Sequence, residues 1–113
     1  MFKIRFNDLV FLSNSRKIKK KNVIFLFYGI GGSSSDFKSL LGLFSIKDQI
    51  LIPELPGHNG HYYRNFDTLL FFTKSIYLFI KKKRINNISF FAHSIGGIIP
   101  ILLMKNFLKK NIK

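Results

Sequence analysis

Apolar positions along this chain fall into short unbroken runs and one longer helical rhythm. Residues 23–28 (VIFLFY), 49–53 (QILIP) and 88–92 (ISFFA) are runs of strand length, rich in β-branched and aromatic side chains. Such runs suit strands buried on both faces of a parallel sheet, because helices cover that kind of sheet from either side. Residues 2–7 and 9–13 alternate or cluster apolar positions at strand length, with Asn7-Asp8 as the turn signal between them. Asp67 is of a residue type that caps helices, and Leu69, Phe72, Ile76 and Phe79 follow on one helical face that runs to about Lys83. Shorter helices are expected over 36–44 and 96–108, and residues 54–66 read as a loop carrying Pro56, Gly57 and Gly60. The order β, β, β-α, β-α, β-α predicts one α/β domain: a parallel, doubly wound sheet with helices on both faces.

Candidate chemistry sits where the buried strands end. Ala92-His93-Ser94-Ile95-Gly96-Gly97 lies between the third buried run and the last helix. A serine on a tight strand-to-helix turn stands in a strained conformation with its hydroxyl at the rim of the sheet. Side chains two residues to either side would collide, so both must be small, as Ala92 and Gly96 are. The helix that follows directs free N–H groups and its positive end toward the serine, which suits an oxyanion, with the Ile95 N–H as one donor. The bland reading is a plain turn in which Gly96 and Gly97 serve close packing and Ser94 caps the helix. Two further segments bear on the choice. Residues 23–32 (VIFLFYGIGG) run from a buried strand into a glycine-rich loop, where Gly29 and Gly31 allow close approach of the backbone and the Ile30 N–H is a second donor. Residues 52–58 (IPELPGH) end a strand in a Pro-Gly turn.

These three segments, in this order and spacing, resemble the α/β-hydrolase superfamily, especially its small esterase and lipase-like members. That family has an HG-rich oxyanion loop after its third strand, a D-x-P-G-H-G turn after the fourth and G-x-S-x-G after the fifth. The matching residues here are 28–32 (YGIGG), 54–60 (ELPGHNG) and 92–97 (AHSIGG), so the resemblance covers nearly the whole chain. It implies a serine hydrolase for carboxylic esters that works through an acyl-enzyme on Ser94, with the Ile95 and Ile30 amides forming the oxyanion hole. Gly29, Gly31 and His93 flank that site, and no cofactor or metal is implied. The chain departs from the family pattern at Tyr28, in place of histidine, at Glu54, in place of Asp, and at Asn59, in place of Gly. Pro100 falls inside the last expected helix, where it removes a hydrogen bond and should kink it.

In the family the triad runs Ser, then an acid, then His. Nineteen residues follow Ser94, and none is Asp, Glu or His. The resemblance therefore covers an amino-terminal, partial domain, and an activated serine needs a base and an orienting carboxylate from elsewhere. His58 or His61, oriented by Asp67 or Glu54, is the internal substitute, although His58 matches the family's structural turn. The strand carrying the elbow is expected to present an open apolar edge. Self-association or a complementing carboxy-terminal fragment are its natural partners. A degenerate, non-catalytic product is the competing reading.

Charge adds a third reading. Nineteen Lys and Arg stand against five Asp and Glu, for a net charge of +14. Such a balance is an electrostatic footprint for nucleic acid or an anionic membrane surface. A strongly AT-biased genome accounts for it more simply: Phe, Ile, Lys and Asn number 14, 16, 15 and 9, against a single Ala. Nucleic acid is therefore not expected, and peripheral membrane contact stays open. The 113 residues contain no cysteine, which excludes disulfides and Cys-based zinc sites. The first twenty residues lack the apolar core of a signal peptide, and residues 88–104 are too short and too interrupted for a span of ~20 residues. A cytoplasmic location is expected.

Overall fold

A computed structural model describes residues 2–7, 9–29, 37, 47–55, 69–93 and 97–106. Five strands, β1 (Phe2–Phe6), β2 (Leu9–Ser13), β3 (Val23–Phe27), β4 (Gln49–Pro53) and β5 (Ile88–Ala92), form one sheet in the order β1-β2-β4-β3-β5. Two helices, α1 (Leu69–Lys82) and α2 (Ile98–Asn106), flank β5 in the chain. Strands were expected at 2–7, 9–13, 23–28, 49–53 and 88–92, and none differs from its observed bounds by more than one residue.

The sheet is mixed, which corrects the expectation of a wholly parallel one. β3 pairs in parallel with β4 and with β5, whereas β1 with β2 and β2 with β4 are antiparallel. The reason is local. Phe6 pairs with Leu9, so two residues turn the chain, and a two-residue connection can join only antiparallel strands. Asn7 takes a left-handed φ of 52° there, a conformation that asparagine tolerates and that hairpin turns of this length require.

Alternation along the strands gives the sheet two apolar faces. On one, Phe79 of α1 packs with its ring tilted at 4.5 Å from Phe11 and meets Phe6 edge-on at 5.3 Å, while Phe11 and Phe90 both pack on Phe25. Of the face expected from helical spacing, Phe72, Ile76 and Phe79 are buried, as are Thr73 and Ile80 beside them. α2 lies against α1 on the same side and buries Ile99 and Leu103. The opposite face buries Val10, Leu26, Tyr28, Ile50 and Ile52, and Phe37 stands there edge-on to Phe91. The helix expected over 36–44 lies outside the described residues apart from Phe37, as does the expected cap Asp67.

Helix ends follow capping chemistry. After α1 the Ile85 N–H donates to the Ile80 carbonyl and the Arg84 N–H to that of Lys81, a paired closure that consumes two orphan carbonyls. Ile80 and Ile85 are both buried, supplying the apolar contact that accompanies this closure. Arg84 sits at the left-handed position with φ 56°, where glycine is usual. At the start of α2, Pro100 is the third residue of the helix, within the first turn. Backbone N–H groups in a first turn have no intrahelical acceptor, so the proline removes no hydrogen bond there, which corrects the expected kink. Among the described residues no helix is long and apolar enough to cross a membrane.

A left-handed conformation costs a residue with a Cβ about 1 kcal/mol that glycine does not pay. Arg84→Gly is therefore expected to raise the unfolding free energy by roughly 0.5–1 kcal/mol and Tm by a few degrees, read by thermal denaturation. A loss of stability would show that the Arg84 side chain matters more than its backbone.

Candidate active site

The carboxyl ends of β4, β3 and β5 lie side by side, because β3 pairs in parallel with a neighbour on each edge. Each of the three motifs begins at one of these ends. Residues 28–32 follow β3, residues 54–60 follow β4 and residues 93–97 follow β5, so the three segments depart from one rim of the sheet. In open α/β sheets ligands bind outside the carboxyl ends of the strands, at this kind of rim.

Pairing of β3 with β5 runs to Phe27 opposite Ala92. One residue further, the His93 N–H donates to the Phe27 carbonyl at 3.0 Å. The strand is therefore held in register up to the residue before the serine. Its side chain is exposed, in keeping with a flanking role for His93. Only five residues, 93–97, separate the end of β5 from the start of α2. Ser94, Ile95 and Gly96 lie outside the described residues, and so do Ile30 and Gly31 of the glycine-rich loop. Gly29, which follows the fully buried Tyr28, is itself buried. A Cβ at Gly97 would stand 3.9 Å from that of Ala92, an ordinary contact, so close packing does not require glycine there.

A feature that sequence reasoning missed joins two of the departures from the family pattern. The Tyr28 hydroxyl donates to Glu54 Oε2 at 2.9 Å and accepts from the Leu55 N–H at 2.6 Å. Both side chains are buried, and the Glu54 N–H donates to the Val10 carbonyl. One phenol thus ties the end of β3 to the first residues beyond β4. The signal was present as two substitutions at the ends of neighbouring strands, but strand order was needed to bring them together. Glu54 is thereby engaged in holding the rim. The alternative base residues His58 and His61, with Asp67, lie outside the described residues.

No family model matches the chain. A Mycoplasma genitalium protein named "Putative esterase/lipase 2" is 30% identical over 90 residues, which are 77% of this chain and 34% of that protein. An enantioselective mutant of the epoxide hydrolase from Aspergillus niger superposes with a TM-score of 0.74 at 20% identity, over 99% of this chain and 32% of that one. An alpha/beta superfamily hydrolase from Oenococcus oeni gives 0.76 at 16% identity, over 99% and 42%. The fold is that of the α/β-hydrolases, and the chain is similar in sequence to a protein named as an esterase/lipase. The chain spans between about a third and two fifths of the length of these relatives.

Two substitutions probe the rim. Tyr28→Phe removes the phenol that the Leu55 N–H donates to in a buried site and one of the hydrogen bonds to Glu54, and should cost about 1–3 kcal/mol in urea unfolding. Gly97→Ala should be neutral or stabilising by up to about 1 kcal/mol, since the added methyl meets only an ordinary contact and alanine favours the helix start.

Proposed function

We propose that this chain carries the nucleophile and oxyanion hole of a serine hydrolase acting on carboxylic esters. The observation that carries the reading is the parallel trio β4-β3-β5, whose carboxyl ends bring the three motifs to one rim. Ser94 Oγ would attack the ester carbonyl while the Ile95 and Ile30 amides receive the developing oxyanion. The alcohol then leaves with the serine's proton, and water releases the acid from the acyl-serine. A fold shared with an epoxide hydrolase does not select the bond broken. The ester reading rests on the serine turn and on the likeness to the Mycoplasma protein. Short or medium acyl esters are the default substrates by resemblance, with thioesters, lipids or peptides as alternatives. In this reading a helix beginning near Phe37 covers the second face of the sheet, completing a doubly wound layer.

The base and acid are assigned to a complementing carboxy-terminal segment, since residues 95–113 hold no Asp, Glu or His. β5 has a strand partner on one edge only among the described residues, which supports pairing there with such a segment or with a second copy. A cytoplasmic location is part of the proposal. The second reading is a non-catalytic chain.

Treatment of the folded chain with a fluorophosphonate probe separates the two. With the carboxy-terminal complement present, labelling is expected at Ser94 and lost in Ser94→Ala, together with at least a thousandfold fall in ester hydrolysis. A folded chain that stays unlabelled, both alone and with a carboxy-terminal complement, would leave the non-catalytic reading standing.

A further inference from the structure

The outer surface of the helix layer has a chemistry that neither the fold nor the carboxyl rim uses. With 3.6 residues per turn, Leu70, Phe71, Lys74, Leu78, Lys81 and Lys82 share about a third of the circumference of α1, opposite the buried Phe72, Ile76 and Phe79. Three of the six are large apolar residues left exposed, Leu70 at 52%, Phe71 at 55% and Leu78 at 44%. The other three are lysines. Beside it α2 exposes Ile98, Ile101 and Met104, with Lys105 among them. Residues 57–113 contain ten Lys and Arg against a single acid, Asp67, so little in this half of the chain offsets the cations. At the carboxyl end of α1 the stripe opens into a groove of about 520 Å³ between the helix and the first hairpin. Phe6 and Leu78 line it with Lys81, Lys82 and Arg84.

We propose that this face docks on an anionic lipid bilayer. Charge complementarity selects the partner: lysines with almost no compensating acid fit a phosphate-bearing surface, while the same face of a second copy would meet this one with like charge. The interleaved Leu, Phe, Ile and Met favour a bilayer over a nucleic acid, because apolar side chains gain by entering the acyl boundary and find no such medium on a phosphate backbone. α1 has 14 residues, too few to span, so it would lie in the plane of the interface. An AT-rich coding bias explains how many lysines the chain has, but not their placement with exposed apolar residues on one face. The proposal does not depend on catalysis by Ser94.

Co-sedimentation of the full chain with vesicles tests it, using phosphatidylcholine alone and phosphatidylcholine with about 30% phosphatidylglycerol. Binding is expected to the anionic vesicles and not to the neutral ones. Lys74→Gln with Lys82→Gln should weaken it roughly thirtyfold, each lysine near such a surface being worth about fivefold. Phe71→Ser with Leu78→Ser should weaken it at least about tenfold. Lys3→Gln with Arg5→Gln removes the same charge from the opposite face of β1 and should change it less than about twofold, since the charges are screened over that distance. All these positions are exposed, and circular dichroism checks that each variant folds. Equal binding to neutral vesicles, or an equal loss from the Lys3 and Arg5 pair, would overturn the proposal. So would tighter binding to single-stranded polynucleotide that ignores Phe71 and Leu78. A dimer in sedimentation analysis that disappears in Phe71→Ser with Leu78→Ser would instead identify the face as a contact between copies.

Discussion

β3 is hydrogen-bonded in parallel to β4 on one edge and to β5 on the other, and much of the molecule follows from that double pairing. Parallel neighbours cannot be joined by a hairpin, so the chain must cross over the sheet between β4 and β5, and α1 makes that crossing. A strand with neighbours on both edges and four of its five residues buried has little contact with water, in keeping with the wholly apolar sequence of residues 23–27. Parallel direction also means that the three strands begin at one rim and end at the other. The segments with motif chemistry leave from the carboxyl rim, and the basic stretches 16–21 and 81–84, the second including the end of α1, precede the amino ends of β3 and β5.

Both rims are held by polar contacts that the apolar pattern could not announce. At the carboxyl rim the Tyr28 hydroxyl joins β3 to Glu54 and Leu55. At the amino rim the buried Gln49 donates to Ser13 and to the Lys17 carbonyl, and accepts from the Lys19 N–H. The Asn22 carbonyl accepts from the Gln49 N–H. Among the described residues no buried side-chain polar atom lacks a partner, so these groups return their desolvation cost as register and strand order.

The buried strands were legible because a continuous apolar run of five residues has few other uses, and α1 because Phe72, Ile76 and Phe79 keep a helical period. Strand direction was not legible from the runs, since burial on two faces says nothing of the neighbour's polarity. Yet Asn7-Asp8 already implied a hairpin, and a hairpin implies an antiparallel pair. Pro100 was misjudged by its distance from the start of the helix: counted from Gly96 it breaks a ladder, counted from Ile98 it occupies a first turn. Tyr28 and Glu54 were each visible as a departure, but their contact depends on β3 and β4 being neighbours, which no local pattern encodes. The turn that would hold Ser94 is fixed at its edges, by the His93 N–H on Phe27 and by the entry into α2, rather than by the serine itself.

Composition and placement answer different questions about the charge. A mutational bias can supply lysine and isoleucine codons throughout a gene, but folding sorts the products. The sheet takes isoleucine and phenylalanine into its two faces, and the lysines are left on helix surfaces and loops. On α1 that sorting is incomplete, because Leu70, Phe71 and Leu78 stay outside beside Lys74, Lys81 and Lys82. Exposed apolar side chains grouped on one face cost solubility, and the neighbouring lysines repel a like-charged copy while attracting an anionic surface. A face that combines the two is better matched to an interface of water, phosphate and acyl chain than to water alone, and it lies on the helix layer, away from the rim that the serine turn enters.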